Sequence, residues 1–128
     1  MATIDPSFRQ RLLVQSLTAL AADPSVQVAW LKGHGVPTEE IALDFDNAFG
    51  VAKQLIEEGR LSPEALPDLR DIDKVFSEMS GERNASRWAE DALYGDEGWI
   101  KARKLARRIL MTERGEWRAP LPDICIIR

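Results

Sequence analysis

Six apolar residues recur at steps of three or four along one stretch of the chain, and this spacing restricts the fold more than any other pattern: Ile41, Phe45, Ala48, Phe49, Ala52 and Ile56. One face of an α-helix repeats about every 3.6 residues, so the run predicts a long amphipathic helix with a buried face. Thr38 is its predicted cap and Gly59 its predicted end, because hydroxyl side chains favour helix starts and glycine favours helix ends.

Similar spacing and similar start and stop signals occur in the rest of the chain. Asp5-Pro6, Asp23-Pro24 and Asp96 predict helix starts. Gly33 and Gly35 predict the end of the second helix. The first helix is predicted to bury the residues Phe8, Leu12, Leu13, Leu17, Leu20 and Ala21. The last is predicted to bury Trp99 and its helical repeats, with polar positions at Lys101, Arg103, Lys104, Arg107 and Arg108.

The stretch "SEMSGERNASRW" at residues 77–88 interrupts this helical pattern. We interpret it as a joint, with Gly81 ending one helix and Asn84 capping the next. The chain therefore predicts an all-α, bundle-like fold of five or six helices, arranged as a single domain over residues 1–128. Helices are expected within residues 1–112. The two prolines and the β-branched run that follow predict an extended tail over residues 113–128.

Charge is distributed unevenly along the chain. Residues 1–98 contain 18 acidic and 9 basic side chains, residues 99–128 contain 3 and 8, and the formal net charge is −4. An acidic body disfavours general affinity for nucleic acid and favours a basic protein partner. Cys125 is the single cysteine, and no apolar run approaches the roughly 20 residues of a membrane span, so we expect a cytoplasmic protein without a membrane partner.

Most catalytic patterns are missing from the sequence. His34, the single histidine, lies between two glycines, where we expect an exposed turn residue rather than a general base. One histidine and one distant cysteine cannot form the usual zinc sites, and neither a phosphate-binding loop nor a serine elbow occurs. We therefore expect a non-catalytic protein without a cofactor.

One acidic set keeps a metal-dependent alternative open. Glu64, Asp68 and Asp71 fall at i, i+4 and i+7, so a single helix face could present all three carboxylates to Mg²⁺. The set is similar to the acidic residues of helical nucleotide pyrophosphatases. Their Glu-Glu-x-x-Glu signature is absent, because Glu57-Glu58 is followed by Gly59-Arg60-Leu61. The resemblance implies a magnesium-dependent nucleotide hydrolase as the first alternative.

A DNA-binding regulator is the second alternative. Predicted helices over residues 85–94 and 97–111 could form a helix-turn-helix with a basic second element. A recognition helix usually begins with side chains that read base edges, whereas this one begins with Glu97-Gly98-Trp99.

The preferred interpretation is a protein-binding domain with an acidic helical face, for example a bacterial immunity or antitoxin-like protein that holds a basic partner. Glu39, Glu40, Asp44 and Asp46 lie along the first turns of the most amphipathic helix, away from its apolar stripe, so all four are expected to reach solvent. Trp117, near the start of the tail, is the predicted aromatic anchor.

Overall fold

Helices account for most of the structure, a computed structural model that describes residues 6–121. It contains seven α-helices and one 3₁₀ helix within that range: α1 (Pro6–Ala21), α2 (Pro24–His34), α3 (Glu39–Phe49), α4 (Ala52–Glu57), α5 (Ala65–Glu78), the 3₁₀ helix (Glu82–Trp88), α6 (Ala92–Gly95) and α7 (Glu97–Arg114). No strand occurs in this range, so the all-α prediction is confirmed. The predicted helical limit at residue 112 is too early, because α7 ends at Arg114. The predicted cap Asp5 and the part of the predicted tail beyond Leu121 lie outside the described residues.

None of the helices within residues 6–121 combines the length and the apolar character that crossing a membrane requires.

The core forms around α1 and α7, which pack against each other. α7 also packs on α5 and α6, and α1 packs on α3 and α4. Leu13, Leu17 and Leu20 of α1 are buried against the apolar stripe of α7, and Trp99 at the start of α7 is the largest fully buried side chain. Long apolar residues thus fill the space between helices, which is the main source of stability in a helical fold.

Of the predicted helix caps, Asp96 is confirmed, whereas Asp23 and Thr38 precede α2 and α3 without a capping hydrogen bond from the side chain. The Asp96 carboxylate accepts hydrogen bonds from the backbone N–H groups of Gly98 and Trp99, as a helix cap should. Pro24 begins α2, and Gly35 ends it with a left-handed φ of 63°, whereas Gly33, also predicted at the helix end, lies inside α2. Two exposed residues contradict the predicted α1 stripe, since Phe8 and Leu12 are each 42% exposed.

The long amphipathic helix predicted over residues 39–58 is divided in two. α3 ends at Phe49, and the Val51 N–H donates to the Ala48 carbonyl over 3.3 Å in a tightened turn before α4 begins at Ala52. Ala52 and Leu55 of α4 are nevertheless buried in the same core. The apolar spacing continues across the break and therefore could not predict it. Because one predicted helix is divided in two, the described residues contain more helical segments than the five or six predicted.

The stretch at residues 77–88 is a joint, as predicted, but its parts have different roles. Gly81 precedes the 3₁₀ helix with φ 102° and ψ 158°, a backbone conformation essentially restricted to glycine. Asn84 lies inside this helix rather than capping it. Its side-chain amide donates to the carbonyls of Glu78 and Ser80 over 3.1 and 3.0 Å. Asn84 therefore provides hydrogen-bond donors to carbonyl groups at and just after the end of α5.

Arg103 contradicts the prediction of a polar, exposed position on α7, because it is only 7% exposed. Its guanidinium donates to the Ala22 carbonyl over 3.1 Å, and to the Gln27 side-chain oxygen and the Leu93 carbonyl over 2.8 Å each. The Gln27 amide in turn donates to two carbonyls in the last turns of α1. One buried side chain thus connects α7 with α1, α2 and α6.

Candidate functional site

A groove lies between α3 and α5, with the 3₁₀ helix beside them. α3 packs on α1 and α5 packs on α7, but α3 and α5 contact each other little. The gap between them, here called the α3–α5 groove, has a volume of about 600 Å³. Its apolar lining residues come from all three segments: Ala42, Leu43, Phe45, Phe76, Ala85 and Trp88.

Aromatic rings form the floor of the α3–α5 groove. The rings of Phe45 and Phe76 meet edge to face with centroids 6.1 Å apart, and Trp88 lies 6.1 Å from Phe76. Trp99 packs beneath, 5.2 Å from Phe76 and 5.5 Å from Trp88. The Trp88 indole N–H donates to the Met79 carbonyl over 2.8 Å, so the ring is held in place and its polar atom is satisfied. The floor is therefore a preformed apolar surface.

Carboxylates line the α3–α5 groove above this floor. Glu39 and Asp46 come from α3 and Asp73 from α5, and no lysine or arginine lines the groove among the described residues. Asp46 is exposed, whereas Glu39 and Asp73 are half-buried. Two of the four predicted partner-binding acids are thus placed in the groove. Asp73 was missed, because no pattern in the sequence relates α5 to α3.

The other two predicted acids, Glu40 and Asp44, do not line the α3–α5 groove. They lie one helical turn apart and share a hydrogen bond between their carboxyl groups. Burial, together with the charge of the neighbouring Glu40 carboxylate and the hydrogen bond with it, raises the pKa of Asp44 to about 6. The expectation that all four acids reach solvent freely is therefore wrong for Glu39, Glu40 and Asp44, which are half-buried, and holds for Asp46, which is exposed.

Trp117 is half-buried and contacts its own chain. The guanidinium carbon of Arg107 lies 3.7 Å from the centre of the indole ring, and that of Arg118 lies 4.6 Å away. Asp23 binds both cations, at 3.0 Å from Arg107 and 3.4 Å from Arg118. Trp117 does not line the α3–α5 groove but lies on a separate surface. Its role as an aromatic anchor for a partner stays a prediction.

The predicted metal-binding set is not gathered into a site. The Asp68 carboxylate accepts two hydrogen bonds from Arg108, over 2.8 and 2.6 Å, and Glu64 accepts one from the Ser62 hydroxyl. Asp71 is exposed. Within residues 6–121, no three or more histidine, cysteine, aspartate or glutamate side chains are placed to share a metal ion. Helical spacing alone did not predict that Asp68 would face α7.

Two further expectations are corrected. His34 is half-buried rather than exposed, with Nδ1 2.9 Å from the Trp30 carbonyl oxygen and its ring tilted against that of Trp30. The helix predicted over residues 85–94 is replaced by the end of the 3₁₀ helix, a turn and the short α6. Trp99, near the start of the supposed recognition helix, is fully buried and cannot reach a DNA groove in this fold.

Comparison of the chain with protein-family models, curated proteins and solved structures finds no match. The shape and charge of the α3–α5 groove are therefore the features that indicate what it can bind.

Proposed function

We propose that this chain is a non-catalytic protein-binding domain that holds a basic polypeptide in the α3–α5 groove. A cytoplasmic immunity or antitoxin-like protein, which neutralises a cationic partner, is the concrete form of this proposal. The observation that carries it is the combination of an aromatic floor with Glu39, Asp46 and Asp73 around it and no lining cation among the described residues.

The floor and the carboxylates would contribute in different ways. Burial of apolar surface on the half-buried Trp88 and the exposed Leu43 provides affinity, because apolar and aromatic contacts dominate binding energy. The carboxylates raise the association rate of a cationic partner and disfavour acidic ones. A groove with both features suits a basic protein segment better than a nucleic acid, whose phosphates the carboxylates would repel.

The polar residues of the groove favour binding over catalysis. Ser77 and Ser80 are the hydroxyl side chains among the described lining residues, and the Ser80 hydroxyl donates to the Phe76 carbonyl over 3.0 Å. No histidine, cysteine or lysine lines the groove within the described part of the chain, so neither serine has the histidine or lysine base that usually activates a serine nucleophile.

Association kinetics with the protein encoded by the adjacent gene test this proposal. The informative variant is Asp46→Lys, which reverses an exposed charge in the groove. Glu57→Lys is the matched control, because Glu57 is exposed on α4 outside the groove and its substitution changes the net charge by the same amount.

We expect Asp46→Lys to slow association several-fold more than Glu57→Lys, and more strongly at low than at high salt, because screening weakens exposed charges. Equal effects of the two variants, or an absence of binding by the unmodified chain, would contradict the proposal.

A further inference from the structure

We infer that the occupant of the α3–α5 groove is an amphipathic α-helix of the partner, with one apolar stripe and lysine or arginine residues on both sides of that stripe. The inference rests on the proposed function and specifies the secondary structure and charge pattern of the bound segment.

The lining of the groove disfavours an extended segment. An extended chain exposes its backbone N–H and C=O groups, and burying these without partners is costly. The side chains of Ala42, Phe45, Phe76 and Ala85 in the lining carry no hydrogen-bonding groups that could satisfy such a segment. No strand edge exists within residues 6–121 to pair with such a segment. A helix satisfies its backbone internally and needs only an apolar surface, as in other helix-in-groove complexes.

The carboxylates occupy both walls. Glu39 and Asp46 project from α3 on one side, and Asp73 from α5 on the other. A bound helix that directs its apolar stripe at the aromatic floor therefore has its two flanking rows beside carboxylates. Lysine and arginine suit those rows, because their long stems cover apolar surface while their charged ends reach the acids.

The chain's own basic helix does not fit this description in its folded state. The apolar face of α7 is buried against α1 and α5, so a second copy has no free stripe on α7 to offer. α1 leaves Phe8 and Leu12 exposed, but the formal net charge of the chain is −4, so the acidic lining favours a basic partner protein over a second copy.

The test is an NMR titration of the isotope-labelled full chain with three synthetic peptides of about four helical turns. The first carries leucines at i, i+3, i+4 and i+7 with flanking arginines and lysines. The second has the same composition in an order that removes the shared apolar face. The third keeps the leucine stripe but carries glutamates in place of the cations.

We expect the first peptide to shift the resonances of groove residues and to bind about tenfold or more tightly than the second, because only the first presents its apolar anchors together. The third should not bind measurably. Ala85→Trp fills the groove from an exposed position and should block the first peptide. Ala89→Trp, exposed and outside the groove lining, is the matched control and should not.

Each other outcome overturns a different statement. Equal binding of the first and second peptides in the groove would overturn the helix inference and leave the proposed function intact. Absence of groove shifts with both cationic peptides would overturn both. Binding of the glutamate peptide as tightly as the first would overturn the charge pattern. Concentration-dependent shifts of groove resonances without peptide would identify a second copy as the occupant and overturn the inference.

Discussion

At the scale of single residues, Arg103 is a buried cation whose hydrogen-bond partners are neutral oxygens. Burial lowers the pKa of Arg103, with the neighbouring Arg107 charge acting in the same direction. Its hydrogen bonds go to an amide oxygen and two backbone carbonyls, one of which, Ala22, directly follows α1. Carbonyls at a helix end carry partial negative charge, so the end of α1 partly takes the place of a carboxylate.

Replacement of Arg103 by methionine is expected to lower the free energy of unfolding by about 2–4 kcal/mol, because three buried acceptors lose their donor. Urea denaturation measures the effect. Lys104→Met is the matched control on the exposed face of the same helix and should change stability by less than about 0.5 kcal/mol. Equal losses in the two variants would contradict the role assigned to the Arg103 hydrogen bonds.

Asp44 is expected to make stability depend on pH. Its pKa is raised from 3.8 to about 6, so the folded state holds the proton more tightly than the unfolded state does. The contribution of this proton to the free energy of unfolding is fully present below pH 3.8 and is lost as the pH rises through about 6. Asp44→Asn, which stays neutral, should therefore gain melting temperature relative to the unmodified chain between about pH 4 and pH 7.

Thermal unfolding at these two pH values measures that gain. Asp46→Asn is the control, since it removes an exposed carboxylate from the same helix. A gain for Asp44→Asn that is the same at both pH values would show that titration of Asp44 is not its cause.

At the scale of elements, the sequence predicted features whose causes are local. Asp96 caps α7 with its own carboxylate, and apolar spacing located the buried faces of α3 and α7. Apolar spacing did not predict the break between α3 and α4 at Gly50, because Ala52 continues the buried face after it. Local signals therefore predict where helices form better than where one helix divides into two.

The groove itself was only half predictable. Glu39 and Asp46 could be found because they flank an amphipathic stripe. Asp73 and Trp88 could not, since their place in the groove depends on how α5 and the 3₁₀ helix lie against α3. The same limit applies to Arg103, whose burial depends on residues far away in the chain.

The joint between α5 and the 3₁₀ helix should depend on glycine at position 81. A side chain there would meet no atom within 4 Å, so the cost of Gly81→Ala arises from the backbone conformation alone. We expect a loss of about 1–3 kcal/mol in denaturant unfolding. Gly95→Ala is the control, because position 95 also has open space but a negative φ, and its effect should stay below about 0.5 kcal/mol. Equal stability of the two variants would contradict this assignment.

At the scale of the whole molecule, the basic C-terminal helix is partly neutralised within the fold. Arg107 pairs with Asp23, and Arg108 pairs with Asp68 of α5. Neither ion pair includes a carboxylate of the α3–α5 groove, and no cation lines that groove among the described residues. Cations of the basic C-terminal helix thus pair with acids of the N-terminal part of the chain, while other acids of that part line the α3–α5 groove.

Trp117 should act mainly in holding the segment after α7 onto the helices. Trp117→Leu removes the ring that Arg107 and Arg118 contact, and we expect it to lower the free energy of unfolding by about 1 kcal/mol. Binding in the α3–α5 groove should be unchanged. Tyr94→Leu, at an aromatic residue that is 55% exposed, is the control and should have little effect on stability. Weaker partner binding by a fully stable Trp117→Leu variant would instead support the anchor role predicted from the sequence.

The Arg103 hydrogen bonds also affect how long the native state persists. They join residues separated by 76 and 81 positions in the chain, so they require α1, α2 and α7 to be assembled first. Interactions completed after the folding transition state slow unfolding without accelerating folding. We therefore expect Arg103→Met to accelerate unfolding of the chain more than it slows folding, which stopped-flow measurements of both rates would test.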